Sequence, residues 1–137
     1  MTWTPEIEEL RRREALARQM GGPEKVKRHH DAGRLTVRER IDALLDPDSF
    51  HEIGAIAGRG KYGANGELEA LQPANFVFGR GRIDSRPDMV DGDDFTVRGG
   101  AADAAIWQKQ VMSEQMANEL RLVGQKYPVL SDSMPFG

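Results

Sequence analysis

Apolar residues recur three and four positions apart through residues 5–20, where Ile7, Leu10, Ala17 and Met20 lie near one helical face. Glu6, Glu8 and Glu9 come early and Arg11, Arg12, Arg13 and Arg18 later, an order that complements the helix dipole. The spacing also offers Glu8–Arg12 and Glu9–Arg13 pairs. Gly21-Gly22 predicts the stop. Pro23 suits the first position of a second short helix running toward His30, and Ala32-Gly33-Arg34 breaks it. Thr36, with Glu39 three residues on, predicts a capping box at the start of a third helix. Its buried stripe is Ile41, Leu44 and Leu45, and Pro47 ends it. Helices this short and thinly apolar are marginal alone, so they are expected to lie on a larger body or a neighbouring subunit.

Beyond residue 46 the period changes. Residues 49–56 predict a first strand through Phe50, Ile53 and Ile56, and residues 57–66, rich in glycine, predict a mobile or partner-ordered loop around Tyr62. Residues 75–82 predict a second strand, Asp84-Ser85 a turn, and Met89-Val90 and Phe95-Thr96-Val97 further strand residues around an acidic turn at residues 91–94. The whole has the rhythm of a hairpin or meander. Residues 101–122 form the longest helical candidate, with Asp103 as its N-cap. Ala105, Lys109, Met112, Met116 and Leu120 trace its core face, broadened by Ala104, Trp107 and Val111. After Leu122 the pattern supplies no buried strand and covering helix, which predicts an incomplete body and an atypical tail. The expected divisions are a helical arm at 1–46, a body at 47–122 and the tail at 123–137.

Charge reinforces the division between arm and body. Residues 1–40 hold 10 Lys/Arg against 7 Asp/Glu, whereas residues 41–137 hold 9 against 15, within a net −3. The arginines of the arm are diluted by glutamates without an aromatic platform, so a nucleic-acid partner is not expected, and residues 11–13 read either as a solvated face or as an interface. The absence of cysteine excludes disulfides, thiolate nucleophiles and Cys-ligated zinc. No run approaches a membrane span and the start lacks the pattern of a secretory signal, so a cytoplasmic chain with no membrane partner is the default expectation.

Candidate chemistry is sparse. His29 and His30 are adjacent, not one turn apart, and His51 stands alone, so no metal site is expected. Asp91, Asp93 and Asp94 lack the spacing of a calcium loop. Gly79-Arg80-Gly81 lacks the third glycine of a dinucleotide fingerprint. Gly99-Gly100 lies between a predicted strand and the long helix, so amides near residues 100–104 either face an anion or simply make a tight turn.

Four stretches, in this order and spacing, resemble the carboxyltransferase (β) subunits of biotin-dependent acyl-CoA carboxylases of the propionyl-CoA and 3-methylcrotonyl-CoA type. They begin at Met20-Gly-Gly-Pro-Glu-Lys-Val-Lys-Arg-His-His and continue with residues 32–50, from Ala32-Gly-Arg-Leu-Thr-Val-Arg-Glu-Arg to Asp-Pro-Asp-Ser-Phe50. Phe78-Gly-Arg-Gly-Arg-Ile-Asp and Asp94-Phe-Thr-Val-Arg-Gly-Gly complete them. The resemblance implies an α/β fold of the crotonase (ClpP/crotonase) type, an N-domain fragment preceded by a helical arm. It implies transfer of a carboxyl group from carboxybiotin to the α-carbon of an acyl-CoA. The implied partners are a biotin carboxylase or biotin carboxyl carrier subunit, which carries the biotin, and further carboxyltransferase subunits. It places Arg98, Gly99 and Gly100 near the CoA and assigns no catalytic residue to this chain. The alternative is a non-catalytic scaffold or interaction module derived from such a subunit.

Overall fold

The computed structural model describes residues 2–121 and 123–125. Three helices open the chain: α1 (Thr4–Arg18), α2 (Pro23–Asp31) and α3 (Val37–Leu44). Then come strands β1 (His51–Ile53), β2 (Gly58–Tyr62), β3 (Leu68–Pro73), β4 (Phe76–Ile83) and β5 (Arg86–Asp93). Two single 3-10 turns, Arg98–Gly100 and Ala102–Ala104, precede α4 (Trp107–Glu119) and β6 (Val123–Gln125). β1, β4, β5 and β6 form one sheet in the order β1-β4-β5-β6, with only the β5–β6 pair parallel. β2 and β3 form a separate antiparallel ribbon.

The four-stranded sheet separates two cores, and the strict alternation of β4 and β5 explains why. On one face Val77 and Val90 meet Val37, Ile41 and Leu45 from α3 and the turn after it. On the other, Phe76, Phe78 and Met89 meet Ile53, with Met116 and Ala117 from α4. A strand covered on both sides has to be apolar at odd and even positions alike, as Phe76-Val77-Phe78 and Met89-Val90 are. Val37, Ile41 and Val90 are wholly buried, each worth roughly 1.5–3 kcal/mol over leaving it in water.

Local signals hold where the partner groups are close in sequence. Thr36 Oγ1 accepts from the Glu39 amide at 3.3 Å and Glu39 Oε1 accepts from the Thr36 amide at 3.2 Å, closing the expected box. His30 Nε2 reaches the same oxygen at 2.6 Å, so the second helix is tied to the third. The turn at Asp84 and Ser85 has two successive positive φ angles, 49° and 67°, the geometry of a two-residue hairpin loop. Asp46 supports it by accepting from both amides, at 3.0 and 2.7 Å.

Several expectations are corrected. Residues 57–66 are not simply a loop, because Gly58–Tyr62 pairs with Leu68–Pro73. The glycines there serve close approach: a Cβ at Gly58 would lie 2.3 Å from the Gln72 carbonyl oxygen. Phe95–Val97 is a turn, because the Asp94 carboxylate accepts from both the amide (2.9 Å) and the hydroxyl (2.6 Å) of Thr96 and folds the backbone locally. Asp91–Asp93 belongs to β5, not to a polar turn. α4 starts at Trp107, without the Asp103 cap, because the two 3-10 turns occupy residues 98–104. Its sheet-facing positions are Lys109, Ser113, Met116 and Ala117, a true helical period, while Trp107, Val111, Met112 and Leu120 are 44–67% exposed. Glu9 pairs with Arg12 and Arg13, so Glu8–Arg12 is replaced by a one-residue shift. A short strand, β6, follows α4 where none was expected. The remainder of the tail, residues 126–137, lies outside the described residues.

Candidate functional site

The segment between β5 and α4 is shaped by three neighbouring left-handed residues. Arg98, Gly99 and Gly100 have φ of 54°, 60° and 78°; glycine tolerates this and arginine is strained by it. Gly100 also lies over the Phe95 ring, which an added Cβ would approach to 3.0 Å. Asn75, at the entrance to β4, fastens the segment: its Nδ2 donates to the Ala101 carbonyl at 2.9 Å and its amide donates to the Ala104 carbonyl at 3.2 Å. Ser113 Oγ donates to Asp91 Oδ2 at 2.8 Å and fixes α4 against β5.

These ties enclose a cleft of about 510 Å³ at the end of the sheet. Phe76, Phe95 and Trp107 supply aromatic walls, Gly100 a rim, and Asp91, Asp93 and Gln110 its polar atoms. Gln110 Oε1 is buried without a hydrogen-bond partner, an acceptor ready for a ligand N–H. A cleft of this size, mostly apolar with a few convergent polar groups, is the ordinary form of a small-molecule site.

Of the three residues singled out in the sequence, only Gly100 lines this cleft. Arg98 stands outside it, paired with Asp103 at 2.6 Å. The Asp103 carboxylate lies below its usual range because of the Arg98 guanidinium. The amides of Gly100, Ala101 and Ala104 donate to the carbonyls of Val97, Arg98 and Ala101. They therefore close turns, and no α-helix begins there to add its dipole. Sequence reasoning missed Gln110, whose surroundings leave no trace in spacing. It also took Trp107 for a core residue, when the structure puts it on the cleft wall and two-thirds exposed.

A second unusual group lies deeper. Lys109 is almost fully buried, its ammonium 5.9 Å from the centre of the Phe78 ring. Burial lowers its pKa to about 8, against a smaller opposing pull from Glu52. Glu52 itself is held by a two-pronged ion pair with Arg38. Asp94 is pushed up by burial, against its bonds from Thr96. Among the described residues no group of three or more His, Asp or Glu is placed to hold a metal ion, and no helix is long and apolar enough to cross a membrane.

Comparison with known proteins supplies the wider frame. Residues 28–133 match the carboxyl transferase domain family. The chain is 37% identical over 131 residues to the probable biotin-dependent acyl-coenzyme A carboxylase beta2 subunit of Mycobacterium tuberculosis, covering 95% of this chain and 22% of that protein. It is 37% identical over 112 residues to the methylmalonyl-CoA carboxyltransferase 12S subunit of Propionibacterium freudenreichii subsp. shermanii, covering 81% and 21%. Among solved structures, the hexameric transcarboxylase 12S with methylmalonyl-coenzyme A and methylmalonic acid bound superposes with a TM-score of 0.72 at 31% identity, over 88% of this chain and 24% of that one. A single-chain, multi-domain long-chain acyl-CoA carboxylase gives 0.69 at 28% identity. The chain thus spans between a fifth and a quarter of the length of these curated relatives. The α/β sheet covered by helices on both faces is that of the crotonase-type carboxyltransferases, and the chain belongs to the carboxyl transferase domain family.

Proposed function

We propose that this chain is the opening portion of an acyl-CoA carboxyltransferase subunit and contributes one wall of the site where an acyl-CoA is held for carboxyl transfer from carboxybiotin. The observation that carries the reading is the cleft between β5 and α4, rimmed by Gly100, in a chain that matches the carboxyl transferase family over residues 28–133. Gln110 Oε1, Asp91 and Asp93 are acceptors, suited to the amino group of adenine or the amides of the pantetheine arm. Arg98, with Gly99 and Gly100, sits at the turn beside them and is the group offered to a CoA phosphate once it leaves Asp103.

Among the described residues no cationic side chain lines the cleft, and Asp91 and Asp93 would repel the carboxylate of carboxybiotin. The residues there do not fit that group, so no step of the transfer is assigned to them; biotin belongs in this reading to a partner that carries it. The arm at 1–46 and the body at 47–122 are the expected units of the assembly, with further carboxyltransferase subunits covering exposed apolar surface. A non-catalytic scaffold derived from the subunit is favoured instead if the cleft stays unused in the complete assembly.

Calorimetry with coenzyme A tests the reading, on this chain alone and joined to the remainder of the subunit. Saturable binding that is weakened by Gln110→Ala and Arg98→Gln is expected in the complete subunit. Absence of binding there removes the acyl-CoA assignment. Binding that ignores both substitutions reduces this portion to a scaffold.

A further inference from the structure

The β4–β5 hairpin separates charge along its length. Asp91, Asp93 and Asp94 gather at the open end, beside the cleft described above, whereas Arg80, Arg82 and Arg86 gather at the turn end. Residue parity then decides which way each side chain points. A Cβ at Gly81 would strike Leu45, so position 81 faces α3, and Arg80 and Arg82 face the opposite side, on which both are exposed. Asp88, in register with Gly81, is wholly buried on the α3 side and does not neutralise them.

His51 lies in register with Arg80 on the neighbouring strand, on the same face. Arg80 and Arg82, two residues apart on a strand, have Cα atoms about 6.7 Å apart. Together the three border a cleft of about 430 Å³ that Leu120, just after α4, also lines. Neither arginine makes an ion pair with a described residue, although the body as a whole is acidic. The backbone of Arg82 is fixed on both sides: its amide donates to Ser49 Oγ at 3.0 Å and its carbonyl accepts from the Asp46 amide at 2.7 Å. Among the described residues that line it, the opposing charge is the Asp48 carboxylate.

We propose that this cleft is an anion site for a phosphate-bearing ligand, held by Arg80 and Arg82 with a ring N–H of His51, at the opposite end of the sheet from the Gly99-Gly100 turn. Two guanidinia on one rigid strand present parallel forks of N–H donors to tetrahedral oxygens. The assignment is independent of the acyl-CoA reading, because it uses none of the residues of the first cleft.

Titration of the 137-residue chain with inorganic pyrophosphate at low ionic strength, followed by calorimetry, tests it. Saturable binding is expected, weakened roughly ten-fold by Arg80→Gln and again by Arg82→Gln. Asp48→Asn, which removes a carboxylate from the wall, should tighten it about three-fold. Arg18→Gln, in α1 and outside the lining of the cleft, should leave it unchanged. Far-UV circular dichroism establishes that each variant is folded. Competition with coenzyme A identifies the source: displacement of pyrophosphate makes the coenzyme's phosphates the occupant, and simultaneous binding makes it a separate phosphorylated ligand, both consistent with the site. The absence of saturable binding by the parent chain, or arginine variants that bind as it does, overturns the assignment.

Discussion

Lys109 shows how one residue can oppose the fold that contains it. Its stem packs along Gly54 and its ammonium sits over Phe78, so the charged form has little water and only a weak counter-charge. In the unfolded chain the group ionises near 10.5, and in the folded chain near 8. Between these values the unfolded state binds more protons, so stability rises with pH across that interval, by up to about 3 kcal/mol. Below pH 8 both states are protonated and the penalty is constant. Lys109→Met should therefore stabilise the chain at neutral pH and flatten the rise between pH 8 and 10.5, as measured by urea midpoints at a series of pH values. Equal slopes in both proteins would mean that Lys109 is solvated. The residue was legible in the sequence as a core-face position, but its burial follows from the sheet lying beneath that side of α4.

At the scale of elements, the junction between α1 and α2 meets the β5–α4 segment at a glycine. The Gly21 amide donates to Thr96 Oγ1 at 2.9 Å, and Thr96 in turn donates to the buried Asp94. A Cβ at Gly21 would fall 1.8 Å from the Thr96 carbonyl oxygen, closer than any packing allows, and that neighbour is backbone. Gly21→Ala should cost about 2 kcal/mol or more and release the α1–α2 segment first. Limited proteolysis would then cut near residues 19–34 while β4 and β5 remain protected. Uniform loss of protection would place the defect in the sheet core instead. In the sequence Gly21-Gly22 announced only a helix stop. The helix ends just ahead of it, at Gln19, with Met20 left-handed at φ 53°, and the contact with a residue 75 positions later was invisible because it depends on where the β5–α4 turn arrives.

At the scale of the molecule, the described residues leave apolar surface open on α1 and on α4. Trp3, Ile7 and Leu10 follow one face of α1, and Trp107, Val111 and Met112 follow the outer side of α4; all are 45–71% exposed. Contiguous apolar surface on a chain with 30% charged residues is the ordinary mark of an interaction site. The isolated chain should therefore bind an apolar dye such as ANS and self-associate with rising concentration. Val111→Lys with Met112→Lys should lower both signals without reducing the melting temperature, since neither side chain contributes to the two buried clusters. A fall in melting temperature would show that these side chains are packed within the chain itself.

The sequence by itself determined what depends on neighbours a few residues apart. These are the helix starts at Pro23 and Thr36, the Glu39 box, the β4 strand, the Asp84-Ser85 turn and, through four ordered motifs, the family. Such features follow from local hydrogen bonding and steric limits that travel with the residues. Only the tertiary structure decided what depends on distant partners: that residues 58–62 are a strand because Leu68–Pro73 lies beside them, and that Asp94 turns the chain before the helix can begin. It also decided that Arg98 meets Asp103 while Gln110 lines the cleft, and that Arg80 and Arg82 share a face with His51. Side-chain direction at those positions is fixed by register and by which layer covers each face, and a one-residue shift in register reverses it.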